Sequence, residues 1–126
     1  MHTREKGQQG ETIACTFLEN KGFTILARNY WKPWGEIDII AQKGQHTHFI
    51  EVKSVTTASD TLRTDFHRPE DNVHALKIKR MRRMIGTYFA EQGSGGGEEF
   101  QIHVLSVFMN LTTRKARVKW IKNIIL

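Results

Sequence analysis

Two apolar runs joined by a short polar turn constrain this 126-residue chain more than any other feature. Glu36-Ile37-Asp38-Ile39-Ile40-Ala41-Gln42 and His48-Phe49-Ile50-Glu51-Val52-Lys53 are rich in β-branched residues and carry charge at alternating places, the pattern of strands. Between them Gly44-Gln45 offers a two-residue loop with glycine first, which suits a type II′ turn. A hairpin closed there sets Ile39 opposite Ile50, Asp38 opposite Glu51 and Glu36 opposite Lys53. Directly opposed residues share a face, with β-carbons about 5 Å apart. Four charged groups therefore gather on one face, while Ile37, Ile39, Ile50 and Val52 take the other and point to a core.

Two opposed carboxylates repel each other. Lys53, two residues from Glu51 on the same face, offsets part of that repulsion. A divalent cation offsets more. Mg²⁺ prefers carboxylate oxygens and water, and commonly takes only one or two protein carboxylates beside a substrate phosphate. It would polarise the phosphate and activate a water, and Lys53 would orient that water or stabilise charge developing on the phosphate. The pattern reads as a phosphodiesterase site in which Asp38 and Glu51 hold Mg²⁺ or Mn²⁺ and Lys53 assists. The competing reading is a wet hairpin face, with Glu36 and Lys53 in a surface ion pair worth under about 1 kcal/mol.

Charge layout points to a polyanion. The net charge is +6, from 19 basic and 13 acidic residues. No acid lies between Asp71 and Glu91, where Lys77, Lys79, Arg80, Arg82 and Arg83 fall, and none follows Glu99, where Arg114, Lys115, Arg117, Lys119 and Lys122 fall. Such asymmetry suits nucleic acid or an anionic membrane surface. No run approaches the roughly 18 apolar residues of a membrane span. The opening residues carry no apolar stretch behind their charges, so no secretory signal is expected. Cys15 is the only cysteine and forms no internal disulfide; a cytoplasmic location is expected.

The elements read in order as a helix over residues 4–21, a strand over 23–29, a loop over 30–35, strands over 36–42 and 48–53, and a long polar loop over 54–68. A helix opened by Pro69 and running to about residue 92 follows, then strands over 100–109 and 115–122. Ile13, Phe17 and Leu18 give the first helix its apolar stripe; Ile78, Met81, Ile85 and Tyr88 give the second its own. The expectation is one α/β domain over 1–126 with a mixed sheet of four to five strands flanked by helices.

That order, with Asp38…Glu51-Val52-Lys53, resembles the PD-(D/E)xK nucleases and their restriction-endonuclease-like fold. More narrowly the chain resembles the YraN-like family of small bacterial proteins. The matching residues are Gly10-Glu11, Ala14, Leu18, Gly22-Phe23, Ile25-Leu26-Ala27-Arg28-Asn29, Gly35 to Ala41, Phe49 to Lys53, and the pair Lys77 and Arg80, so the likeness covers about residues 7–109. It implies Asp38, Glu51 and Lys53 as the site, Glu11 contributed from the first helix, and DNA as partner. The chain departs from the family pattern after Lys53, where Ser54-Val55 stands in place of a basic residue, and at Phe100-Gln101-Ile102-His103, where Arg-Phe-Asp is common.

Lys77 and Arg80 share a helix face and are expected to contact phosphate. Lys79, Arg82 and Arg83 add general attraction for nucleic acid. Trp31 and Trp34 are expected to cap a small core rather than to stack on unpaired bases. Cys15 is expected to be buried and inert. The expected activity is a Mg²⁺-dependent nuclease acting on DNA, including branched or single-strand-containing DNA, and a homodimer is among the expected assemblies. Its rivals are a non-catalytic nucleic-acid-binding module of the same fold and a protein-interaction domain.

Overall fold

A computed structural model describes residues 3–57, 75–93 and 99–121, with side chains from residue 8 in the first helix and from residue 79 in the second. The elements are α1 (Thr3–Asn20), β1 (Thr24–Lys32), β2 (Gly35–Lys43), β3 (His46–Thr57), α2 (Ala75–Glu91), β4 (Phe100–Asn110) and β5 (Ala116–Ile121). One five-stranded sheet runs in the order β1-β2-β3-β4-β5. β3 and β4 are parallel, joined by the crossover that contains α2, and the other neighbours are antiparallel. This is the mixed α/β architecture that the pattern of elements predicts.

Each helix covers its own apolar cluster. Ala14, Cys15 and Leu18 of α1 pack with Ile39, Ala41, Ile50, Leu105, Val107 and Met109. Met81, Met84, Ile85, Tyr88 and Phe89 of α2 pack with Ile37, Ile40, Phe49 and Ile102. The two clusters draw on alternate residues of β3 and β4, as two faces of one sheet must. Ile102 to Val107 are buried without a break, the mark of a strand covered on both sides. At the β5 edge Arg117 and Lys119 stand exposed, which discourages pairing with another sheet. Cys15 is buried, and burial pushes its thiol above the usual range.

The β2–β3 hairpin has the predicted register, with Ile39 opposite Ile50, Ile40 opposite Phe49 and Lys43 opposite His46. Gly44 has φ of 63° and Gln45 has no positive φ, as a type II′ turn requires.

Three expectations need correction. Residues 30–35 are not a loop: β1 continues to Lys32 and only Pro33-Trp34 turns the chain into Gly35. Tyr30 and Trp31 are good strand formers, and proline loses nothing where no ladder bond is needed. β3 does not stop at Lys53, because parallel pairing with β4 carries it to Thr57 opposite Asn110. Within the described residues α2 begins at Ala75. Residues 58–68 of the loop expected over 54–68 and the start expected at Pro69 lie outside the described residues, as do the side chains of Lys77 and Ile78.

The third correction concerns faces. Ile37 packs with the α2 cluster, not with Ile39. Ile37 and Ile40 are three apart yet touch the same cluster, and so do Ala27 and Tyr30 on β1. The pleat is therefore broken between them on both strands. On β1 the break holds Asn29, a non-glycine residue with φ of 51°. On β2 it holds Asp38.

Candidate metal centre and its basic flank

Asp38 sits where the β2 pleat breaks, and the regular β2–β3 pairing runs only from Lys43 to Ile39. Beyond Ile39 its carboxylate takes the place of a backbone acceptor: the Val52 N–H donates to Asp38 Oδ2 at 2.8 Å. The side chain is thus fixed by main chain from the next strand. Burial pushes the Asp38 carboxyl up to about 8, the charge of Glu51 adds to that, the Val52 N–H works against it, and Glu11 and Glu36 raise it further.

Glu11 arrives from α1. The helix can come close because position 10 lacks a side chain: a β-carbon on Gly10 would lie 1.8 Å from Ser54 Oγ and 3.1 Å from Ser54 Cβ. Gly10→Val is therefore expected to destabilise the protein by roughly 1–3 kcal/mol through overpacking, measured by urea unfolding, and a second change, Ser54→Gly, should recover part of the loss.

The oxygens of Glu11, Glu36 and Asp38 converge within 4.8 Å of one another. Glu11 Oε1 is buried and has no hydrogen-bond partner among the described residues. Arg28 Nη2 stands 3.8 Å from it, too far for a hydrogen bond. Burial raises the Glu11 carboxyl above its ordinary range against the pull of Asn29 and Arg28, and Glu36 and Glu51 raise it further. Glu51 is itself buried, and its Oε1 lies 3.9 Å from Lys53 Nζ.

The donor set suits a hard cation. It consists of carboxylate oxygens from α1 and β2, one of them without a hydrogen-bond partner among the described residues, and two of the carboxyls have their proton affinity raised by burial and by neighbouring charge. Mg²⁺ and Mn²⁺ prefer such ligands. A bound cation would relieve the repulsion that the fold otherwise carries there.

The structure thus brings Glu11, Asp38, Glu51 and Lys53 into one neighbourhood and adds Glu36. The regular hairpin register predicts Glu36 as the partner of Lys53; the structure brings it into the trio with Glu11 and Asp38. The pairing rule for a regular hairpin hid it, because the break at Asp38 lets Glu36 and Asp38 turn toward α1. Glu51, read as a metal ligand, stands beside the trio and acts on Asp38 through its charge.

Lys79, Arg80 and Arg83 line one cleft, of about 750 Å³, between α2 and the β1–β2 turn. Lys79 and Arg83, expected to add general attraction, flank Arg80 in this cleft. Arg83 lies over the Trp34 ring at 4.9 Å. Trp34 is partly buried against the α2 cluster, as expected of a core cap. Trp31 is not a cap: it is 65% exposed. No helix among the described residues is long and apolar enough to cross a membrane.

Comparison with known proteins agrees on one group. The family model described as "Uncharacterised protein family UPF0102" matches residues 10–117. A UPF0102 protein of Moorella thermoacetica is 38% identical over 122 residues, covering 97% of this chain and 96% of the relative. One of Helicobacter hepaticus is 44% identical over 88 residues, covering 70% and 72%. One of Caldicellulosiruptor saccharolyticus is 31% identical over 123 residues, covering 98% of each.

Proposed function

The chain belongs to the UPF0102 family, and from its carboxylate cluster we propose that it is a divalent-cation-dependent nuclease hydrolysing phosphodiester bonds in DNA, branched or single-strand-containing DNA included. The observation that carries this reading is the convergence of Glu11, Glu36 and Asp38 within 4.8 Å, with a buried oxygen among them that has no hydrogen-bond partner among the described residues. The likeness of Asp38…Glu51-Val52-Lys53 and of the element order to the PD-(D/E)xK nucleases supports it.

Glu11, Glu36, Asp38 and Glu51 would hold Mg²⁺ or Mn²⁺, which when bound supplies a polarised phosphate and an activated water. The Val52 N–H holds the Asp38 carboxylate in one orientation. Lys53, held beside Glu51, brings a positive charge to the place where the phosphate gains negative charge. Lys79, Arg80 and Arg83 on the neighbouring helix neutralise backbone phosphates. The reading places the protein in the cytoplasm with DNA as partner, and a two-fold dimer would act on two strands together.

A gel assay tests it. Labelled linear, single-stranded, flapped and four-way DNA are incubated with the protein and Mg²⁺, Mn²⁺ or chelator. Cuts that need the metal and vanish in Asp38→Asn are the expected result. Retarded bands without cuts, identical in Asp38→Asn, would leave a binding module instead. No retardation at low salt would point to a protein partner.

A further inference from the structure

We propose that the cleft between α2 and the β1–β2 turn is a stacking site for one unpaired nucleotide, placed next to the nucleotide whose phosphate meets the carboxylate cluster. The inference rests on the nuclease reading and specifies its substrate: a strand that is unpaired at the cut.

The placement follows from register. Trp31 is directly opposite Glu36 in the β1–β2 ladder. Opposed residues share a face, so the exposed indole stands beside a member of the carboxylate trio. Glu36 itself lines the cleft, which makes the cleft and the carboxylate cluster continuous. A chain with one phosphate at the cluster would bring its neighbouring base to Trp31.

The chemistry of the walls selects the occupant. Lys79, Arg80 and Arg83 are all exposed on this side of α2. They lie within the acid-free stretch between Asp71 and Glu91, and the one carboxylate of α2, Glu91 at its last position, is engaged by Lys32. Arg83 lies over the Trp34 ring and keeps its guanidinium edge for a phosphate. An exposed aromatic ring beside three cations fits a base attached to a charged backbone. A cleft of about 750 Å³ has room for one nucleotide. A duplex cannot use Trp31 this way, because its bases already stack on each other and show no free face.

The test measures binding and cleavage by the full-length protein and its Trp31→Ala and Trp31→Phe variants. Binding is read by fluorescence anisotropy with labelled flapped DNA and with a blunt duplex, in Ca²⁺. Because Trp31 is exposed, its replacement should leave the melting temperature unchanged. Trp31→Ala is expected to weaken flap binding by about 5- to 150-fold, the range for losing one base–aromatic stack, while duplex binding stays the same and Trp31→Phe recovers most of the loss. An abasic position beside the cut should weaken wild-type binding by a similar factor and cause no further loss in Trp31→Ala. Equal weakening on flap and duplex, or none on either, would overturn the inference. If metal-dependent cutting persists in that case, the nuclease reading stands alone. Trp31-dependent flap binding without cutting by the wild type would keep the stacking site and remove the nuclease.

Discussion

Asp38→Asn should make the metal-free protein more stable at pH 8, although it alters the residue on which the proposed activity most depends. The folded Asp38 carboxyl is pushed up to about 8 from an ordinary value of 3.8. Between those values the folded protein keeps a proton that the unfolded chain has released. The stability linked to this group is thus full below about pH 3.8 and is lost as the pH rises through about 8. At pH 8 the wild type carries an ionised carboxylate among Glu51, Glu11 and Glu36. Asparagine removes that charge and still accepts the Val52 N–H through its carbonyl oxygen. The gain should be on the order of 2–4 kcal/mol, less than the full linkage value because water screens part of the carboxyl. It should shrink as the pH falls toward 4, read by urea unfolding of both proteins across that range. Burial lowers His48, which acts in the opposite direction by weakening the fold as it is forced to charge below pH 6.5, but equally in both proteins. Millimolar Mg²⁺ should reverse the order, raising the wild type by mass action and leaving Asp38→Asn behind.

Lys53→Ala should slow cleavage by roughly 10²- to 10³-fold, the scale of removing one group that stabilises developing negative charge, while leaving DNA affinity within a few-fold of wild type. Lys53 is partly buried beside Glu51, and on the proposed reading its charge acts where negative charge develops. On the same reading the α2 cations act on the ground state as well. Arg80→Ala should therefore weaken binding and flatten its salt dependence, where Lys53→Ala does neither. Single-turnover rates and anisotropy at several salt concentrations separate the two.

Much of the sheet was legible because its signals are local. Gly44-Gln45 set the β2–β3 turn, and that turn set the pairing of Ile39 with Ile50. The α2 stripe was legible through Met81, Ile85 and Tyr88, all buried. What failed were rules that assume regularity. Face alternation put Ile37 beside Ile39, but the left-handed Asn29 and the inserted Asp38 carboxylate break the pleat, and no period in the sequence marks that place. The same break hid Glu36 as a neighbour of Glu11. Glu11 itself came only from family likeness, since its approach depends on a close crossing of α1 over Ser54 that no local pattern encodes. His48 and His103, hydrogen-bonded at 2.8 Å across β3 and β4, were invisible for the same reason: only the parallel pairing makes them neighbours.

The account depends most on the carboxylate cluster being a divalent-cation site, and Mn²⁺ tests that without any assumption about substrate. The electron paramagnetic resonance signal of free Mn²⁺ falls when the ion binds protein, so titration of the full-length chain counts sites directly. The account predicts tight binding by the wild type that competes with Mg²⁺, with the strongest site lost in Asp38→Asn and weakened in Glu11→Gln. Equal Mn²⁺ binding by the wild type and Asp38→Asn, or none by either, would contradict it.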